Sequence, residues 1–482
     1  MIRGGSGAVF ADKPAIRAAI YPVFMFLLFL PFFLSRAAGA LEVKAGGQVA
    51  VQFGLRDNYH NENGAFMDGE ADRLFVRQRS RLRFDLIASE HLRGVIQVQA
   101  GTINWGNEKQ GGALDATATP LKVRQAYAEW QWPETDLSLK MGLQLIILPS
   151  AVAGNPVLSS TLAAVKGSWR AGDQLNLAAF WGRPYHAATE EARYNDSDLF
   201  ALLADFAPGA AMLNLRAQPY LMYGRIGQFS RYGKVTPGAA SPWSPQADKD
   251  QYFDYYLGGL ALELEPAADL FLGLDALYLL QKNRADNLAG GVDRYAGWFL
   301  AGKAERAFSF GSLEAIAWYA SGNNEDAFDP DGRRYGRIPS LSLLNSGFDP
   351  TRLAFNGAFC MGDDGIISDS GAGTWGAGLH LKSLSFTENL KHTLRFYYFS
   401  GTDKAERPGW RQDGSRPGAS DLNRKDHAFE VDFDSVWTIY DNLRLVVETA
   451  YVYLDWDKNA HAGYDLDRNN VWNVQFTFDY RF

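Results

Sequence analysis

The chain of 482 residues has a net charge of −8, and its first 40 residues carry +3, so the remainder carries −11. This acidic balance argues against a nucleic-acid partner, which would require a basic footprint. A single cysteine, Cys360, excludes an intrachain disulfide framework, and beyond residue 40 no apolar run is long enough to predict a membrane-spanning helix.

The N-terminal segment has the order of a secretory signal. A positively charged stretch ends at Arg17, an apolar run covers residues 20–34, and small residues fill 37–40. A spanning helix requires about 20 apolar residues, whereas this run is shorter and contains two prolines. We therefore predict a signal peptide over 1–40, removed on export, and one mature domain over 41–482.

The mature chain alternates between apolar and polar residues in eighteen segments. Such alternation predicts strands with one apolar and one polar face. The predicted strands cover 46–57, 72–87, 91–103, 121–132, 136–147, 162–171, 173–183, 196–207, 211–226, 251–265, 269–282, 294–307, 309–321, 373–386, 391–401, 426–438, 442–455 and 470–482. The alternative count is sixteen, if one of the weak segments between residues 162 and 183 is not a strand.

The connections between these segments alternate between short and long. Tight turns are predicted at 133–136, 171–172, 207–210, 266–268 and 439–442, and long polar loops include 227–250, 322–372 and 402–425. Short periplasmic turns and long extracellular loops are typical of outer-membrane barrels. We predict an all-β fold, a transmembrane antiparallel β-barrel in a Gram-negative outer membrane, surrounded by membrane lipid and lipopolysaccharide.

A stripe of basic and amide side chains is predicted on one face of the second and third segments. The stripe consists of Arg77, Arg79, Arg81, Arg83, Arg93, Gln97 and Gln99. An arginine facing lipid would cost about 2–4 kcal/mol near the membrane midplane, so we expect the stripe to line a pore. Two interpretations remain open: a cationic wall that attracts anions, or a solvated face whose arginines pair with nearby acids.

A smaller acidic ladder occurs in the sixteenth segment at Glu430, Asp432 and Asp434. We expect it to line the pore opposite the stripe and to create a transverse field. The histidines show no metal-ligand spacing and no nucleophile is paired with a base, so the sequence predicts neither an enzyme nor a cofactor. Calcium held by acidic loop residues at 326–331 or 457–467 is an alternative, although the spacing of a calcium-binding loop is absent.

Two loops are unusual. The loop at 322–372 is too long for a simple connection, and it could fold into the barrel, contact a neighbouring subunit or cap the barrel. Within it, Cys360 is expected to be a buried thiol and not a nucleophile. The loop at 148–161 is apolar and contains proline, which is unlike an acidic constriction loop.

Several motifs resemble a known family when taken in order. They are FVRQRSRLR at 75–83, NWG at 104–106, VRQAY at 123–127 and GLQLIILPS at 142–150. The chain is similar over about 46–226 to the outer-membrane homotrimeric porins of sulfate-reducing bacteria, and more distantly to alginate-export and OprD-like barrels. This resemblance implies a homotrimer that forms a water-filled general porin.

These features predict a general diffusion porin for small hydrophilic solutes and ions. The alternative is a selective channel for anions or acidic sugars that uses the arginine stripe, although Leu143 stands where the related barrels would have an arginine, which weakens any carried-over polysaccharide site. The last ten residues, 473–482, alternate between polar and apolar side chains, mostly aromatic, and end at Phe482. That ending resembles the signal read by the barrel-assembly machinery, which we expect to be a partner.

Overall fold

The fold is known from a computed structural model. It describes residues 41–57, 73–115, 120–186, 196–209, 214–227, 252–283, 294–322, 347–355, 371–404, 422–457 and 469–482, together with 336, 338, 361, 366 and 459. The predicted signal peptide, Cys360 and the acidic loop residues other than Asp457 lie outside the described residues.

Eighteen antiparallel strands form one sheet. They are β1 (Glu42–Asp57), β2 (Arg73–Ser89), β3 (Leu92–Asn104), β4 (Leu121–Gln131), β5 (Leu137–Ile147), β6 (Ser159–Arg170), β7 (Leu175–Tyr185), β8 (Ser197–Gly209), β9 (Leu215–Gly227), β10 (Tyr252–Ala267), β11 (Leu270–Asn283), β12 (Arg294–Phe308), β13 (Gly311–Ala320), β14 (Thr374–Thr387), β15 (Leu390–Gly401), β16 (His427–Tyr440), β17 (Leu443–Asp455) and β18 (Asn470–Arg481). All eighteen predicted segments are confirmed as strands, with ends that differ by at most four residues. The alternative count of sixteen is wrong.

The sheet closes on itself. Each strand pairs with its neighbours in sequence, and β1 also pairs with β18 over a register that includes Gln52 opposite Thr477. At the chain end, the amide of Gly47 donates to the carbonyl oxygen of Phe482 over 2.8 Å, and the amide of Phe482 donates back to Gly47 over 3.1 Å. Closure leaves no unpaired sheet edge, which is what a sheet needs to cross a membrane.

The faces of the strands are inverted relative to a soluble protein. In β18 the aromatic residues Phe476, Phe478 and Tyr480 are 44%, 43% and 40% exposed, whereas Thr477 and Asp479 are fully buried. The apolar face therefore points outward and the polar face points into the barrel. This arrangement follows directly from the period of two in the sequence, because successive side chains of a strand point to opposite faces.

The two ends of the barrel differ in their connections. At one end the strands join through tight turns, such as 171–174 between β6 and β7, where Gly172 adopts a positive φ of 79°. At the other end the connections are long. The first residue of β1 and the last residue of β18 lie on the short-turn side. The predicted sorting of short and long connections is therefore confirmed.

Aromatic side chains lie near both rims of the outer surface. The rings of Trp130 and Trp132 lie 4.6 Å apart beside the turn between β4 and β5, and those of Tyr223 and Tyr256 lie 5.3 Å apart near the long-loop end. Two such rows mark the interfaces of a transmembrane barrel. Among the described residues, no helix is long and apolar enough to span a bilayer.

Two connections have described residues inside the barrel. We call 148–158, between β5 and β6, the short inner loop, and the described residues of 321–373, between β13 and β14, the long inner loop. In the short inner loop Leu148 and Val157 are fully buried, and in the long inner loop Phe348 and Phe355 are fully buried. Of the three arrangements open for the long loop, the described residues adopt the one inside the barrel.

The inner loops pack on an apolar part of the inner wall. Phe348 lies 5.0 Å from the ring of Phe299 on β12 and 5.7 Å from that of Trp318 on β13, and Phe355 lies 5.3 Å from Phe399 on β15. The apolar composition of 148–161 is unlike that of an acidic constriction loop. The short inner loop, 148–158, lies inside the barrel because an apolar loop can be buried against this apolar wall.

Candidate channel interior

The alternation of β2 directs its arginines into the barrel. Leu74 and Leu82, on the other parity, are 71% and 40% exposed on the outside, whereas Arg77 and Arg79 are each 7% exposed. The inward direction of the stripe, which the cost of arginine in lipid predicted, is thus what the strand adopts. Whether these residues line an aqueous path stays a prediction.

At the long-loop end the stripe contacts the long inner loop. Arg77 donates from Nε to Oε1 of Gln52 on β1, and from Nη2 to the carbonyl oxygen of Met361 over 2.6 Å. Gln52 in turn donates to the hydroxyl of Thr477 on β18 over 3.0 Å. Arg77 therefore joins the polar inner wall of β18, β1 and β2 to the loop inside the barrel.

In the middle of the stripe the partners are amides. Arg81 on β2 and Arg124 on β4 both donate to Oε1 of Gln99, over 2.8 and 3.1 Å. Gln97 lies in register between Arg83 and Gln125. Amide groups can orient guanidinium groups without carrying a charge of their own.

Toward the short turns the arginines pair with acids. Arg83 makes two hydrogen bonds to Asp85, at 2.8 and 2.9 Å, and Arg93 makes two to Glu129, at 2.7 and 2.9 Å. The contacts therefore differ along the stripe: Arg83 and Arg93 near the turns pair with acids, and Arg81 above them contacts an amide. Both interpretations of the stripe stay predictions.

The acidic ladder of β16 also faces inward, where the long inner loop covers it. Glu430, Asp432 and Asp434 are at most 4% exposed. Glu430 accepts hydrogen bonds from the amides of Leu353 and Ala354 over 2.7 and 3.1 Å. These acids therefore anchor a loop, an arrangement that their alternation alone could not reveal.

Arg352 supplies the cation for this anchor. Its Nε donates to Asp434 over 2.9 Å, its guanidinium lies 3.8 Å from Glu448 on β17, and Arg395 on β15 also donates to Asp434. Buried carboxylates need such partners, since an uncompensated buried charge is costly. The expected position of the ladder opposite the stripe is wrong, since β16 lies only four strand positions from β2 in the closed sheet, and two half-buried guanidinium groups pair with its acids.

Sequence reasoning missed a second anchor, Asp275 on β11. Its carboxylate accepts from the Ser150 hydroxyl over 2.5 Å and from the amides of Ala151 and Val152 over 2.6 and 3.1 Å. Lys303 on β12 donates to the carbonyl of Val152 over 3.2 Å. The available signal was Asp275 itself, the one acidic residue in the apolar run of β11.

The two inner loops also contact each other. The amide of Asp349 donates to the carbonyl of Ala153 over 3.0 Å. Gly154 has a positive φ of 97°, and a Cβ atom at this position would lie 1.4 Å from the carbonyl oxygen of Gly347. Gly154 is therefore required for the close approach of the two loops.

Basic side chains predominate on the inner faces of β2 to β6. The acids of β13, β16 and β17 are bonded to loop or strand cations, as when Glu314 binds Lys382 over 2.9 Å. A closed eighteen-strand barrel with an apolar outer band and two inward loops defines the class of transmembrane β-barrels whose interior is narrowed by loops.

Comparison with known proteins agrees with this class. No protein-family model and no curated protein matches the chain. Among solved structures, OpdK of Pseudomonas aeruginosa has 11% identity and a TM-score of 0.50, over 91% of this chain and 98% of that chain. OccAB3 of Acinetobacter baumannii has 11% identity and a TM-score of 0.54, over 92% and 99% of the respective chains.

A third neighbour is OprD of Pseudomonas aeruginosa, with 12% identity and a TM-score of 0.51 over 93% of this chain and 98% of that chain. At these identities the likeness is one of fold. OpdK is described as an outer membrane protein, which agrees with the outer-membrane location predicted from the sequence. The distant similarity to OprD-like barrels is confirmed at the level of fold, whereas the sulfate-reducer porin type and the homotrimer stay predictions.

Proposed function

We propose that the chain forms an outer-membrane channel for small hydrophilic solutes, and that the basic wall of β2 to β4 makes it favour anions. The observation that carries this proposal is the inward arginine stripe beside the long inner loop, where Arg77 bonds to Met361. A basic wall next to a narrowing concentrates anions where the solute path is most confined.

The inner loops support the same choice. Asp275 on β11 and the acids of β16 anchor them, and Met361 of the long inner loop reaches across to Arg77 on β2. We expect a passing solute to travel along the remaining wall, past Arg81 and Arg83 of β2 and along β3 to β5. Salt screening limits the range over which a charge acts to about 8–10 Å at physiological salt. The charges of the nearby wall therefore affect a passing ion more than the net charge of the outer loops does.

A small carboxylate is one solute of this type. OpdK has been crystallised with vanillate, which carries a carboxylate. In the present chain Arg81 and Arg124, both directed to Gln99, offer guanidinium groups of the geometry that binds carboxylates well.

The second candidate is a general diffusion porin with little charge preference. It is favoured by the ion pairs Arg83–Asp85 and Arg93–Glu129, which neutralise the wall near the short turns. The two candidates differ in one measurable property, the ion selectivity of the open channel.

The test is the reversal potential of the purified protein in a planar bilayer under a potassium chloride gradient. We expect anion preference in the wild type and a shift toward cations when Arg79 and Arg81 are both replaced by Gln. The control is Arg306→Gln, which removes an arginine that is 62% exposed at the short-turn end of β12. Unselective conductance in all three proteins would favour the general porin, and a folded barrel without conductance would overturn the channel.

The homotrimer implied by the sequence resemblance is a separate proposal. The mass of the complex extracted in mild detergent tests it directly. The channel proposal does not depend on that result, because the interior described above lies within one chain.

A further inference from the structure

Two lysines face each other on the inner wall near the short-turn end. Lys140 of β5 lies directly opposite Lys166 of β6, and one pair closer to the turns Ser138 lies opposite Ser168. The ammonium group of Lys140 lies 4.0 Å from the centroid of the buried Tyr127 ring, which places it inside the barrel. All four side chains of this lysine–serine patch are half-buried.

The positive charge of the patch is not neutralised. Across the wall the register runs from Arg93 to Glu129, then to Lys140 and Lys166. The carboxylate of Glu129 is occupied by Arg93 at 2.7 Å, and in the described part of the chain neither lysine forms an ion pair. This row therefore carries an excess of two positive charges. Like charges directly opposite one another destabilise a sheet, so the lysine pair has no structural benefit.

The serine hydroxyls add donors to the same patch. Within the described residues, neither Ser138 nor Ser168 makes a side-chain hydrogen bond. Opposed Cβ atoms are about 4.5–5.5 Å apart and residues two apart on a strand about 6.5–7 Å, so two ammonium and two hydroxyl groups surround a small area. Ammonium groups on flexible stems bind phosphate as point charges, and hydroxyls can donate to its remaining oxygens.

We propose that the lysine–serine patch is a binding site for a dianionic oxyanion, the phosphate group of a small solute. Two uncompensated charges match a dianion, which a single carboxylate is not. The proposal rests on the proposed channel function, since the patch extends the basic wall from the arginines of β2 toward the short-turn end. A solute that passes the arginine stripe meets the patch next.

The first experiment measures binding without conduction. Inorganic phosphate is titrated into the purified full-length barrel in detergent, and its phosphorus NMR line width is followed. Replacing Lys140 and Lys166 together by Gln is expected to weaken binding about tenfold or more, because each lysine contributes a charged hydrogen bond. Ser138→Ala with Ser168→Ala is expected to weaken it less, and the paired replacement by Arg is expected to retain most of it.

The matched control is Lys282→Gln. Lys282 lies 5.7 Å from the ring of Tyr256 on the outer surface, so its loss removes the same charge from the other side of the wall. Phosphate binding should stay at the wild-type level in this variant. Unchanged β-sheet circular dichroism in each variant shows that the barrel is folded.

The second experiment measures phosphate block of the chloride current in a planar bilayer, with acetate as the monoanion for comparison. Phosphate should block at lower concentration than acetate, and the double Gln variant should lose that difference. Equal phosphate affinity in the wild type and the double Gln variant would overturn the site. A barrel that binds phosphate but passes no current would retain the site and reject the proposed channel, so the two failures are distinguishable.

Discussion

At the scale of single residues, the contact between the two inner loops depends on a glycine, Gly154. Gly154 lies where the short and long inner loops meet, and its positive φ of 97° is one that other residues adopt only at a cost of about 1–2 kcal/mol. There is also no room for a side chain at this position, since a Cβ atom would lie 1.4 Å from the carbonyl oxygen of Gly347. Both effects act on the loops and leave the strands untouched.

We therefore predict that Gly154→Ala separates the two inner loops while the barrel still assembles. The expected result is a larger or more variable single-channel conductance with an unchanged thermal transition of the β-sheet. Gly167→Ala is the control, because a Cβ atom at Gly167 on β6 would meet nothing within 4 Å. Wild-type conductance in the Gly154 variant would show that the loops adapt without moving apart.

At the scale of elements, the long inner loop is held by charge. Arg352 binds Asp434 at 2.8 Å and approaches Glu448 at 3.8 Å, while the amides at 352–354 bind Glu430 and Asp432. Removing one partner of a buried ion pair typically costs about 3–5 kcal/mol, since the other partner is left uncompensated. The strands are paired by backbone hydrogen bonds and do not share this cost.

Arg352→Met is accordingly expected to release the loop from β16 and β17. Exposure of Glu430, Asp432 and Asp434 to the interior should then raise the conductance and shift the reversal potential toward cations. Arg352→Lys keeps the charge, so it should restore part of the wild-type selectivity. If the Met variant matches the wild type in both measurements, the packing of Phe348 and Phe355 alone holds the loop.

At the scale of the whole molecule, the barrel depends on closure between its first and last strands. The backbone of Phe482 exchanges two hydrogen bonds with Gly47, and its ring lies so close to Gly47 that a Cβ atom there would be 2.6 Å from it. This pairing joins residues from opposite ends of the chain, so it must form late relative to local hairpins.

Deletion of Phe482 is predicted to reduce the yield of assembled barrel in the outer membrane more than it lowers the stability of barrels that do assemble. Phe482→Ala keeps the two backbone bonds and removes only the ring, so it separates the role of the side chain from that of the pairing. Yield is measured by heat-modifiable gel mobility of membrane fractions, and stability by the temperature at which the purified barrel unfolds. Equal yields from all three proteins would mean that the ending serves only interface packing.

The barrel can be predicted from the amino-acid sequence. The period of two in each segment places apolar side chains such as Phe476 outward and polar ones such as Thr477 inward, and this pattern is local to each strand. Turn residues such as Gly172 and the alternating lengths of the connections then place the start of β1 and the end of β18 on the same side of the barrel. The inward direction of the arginine stripe follows from the same parity and from the cost of charge in lipid.

The contents of the barrel interior depend on contacts between residues that are distant in sequence. The bond from Arg352 to Asp434 joins residues 82 apart in sequence, and the bond from Ala151 to Asp275 joins residues 124 apart. Neither loop has a period that indicates its position, and an inward acid looks the same in sequence whether it faces water or a loop. Parity specifies the face of a strand, whereas the partner across the barrel depends on closure of all eighteen strands.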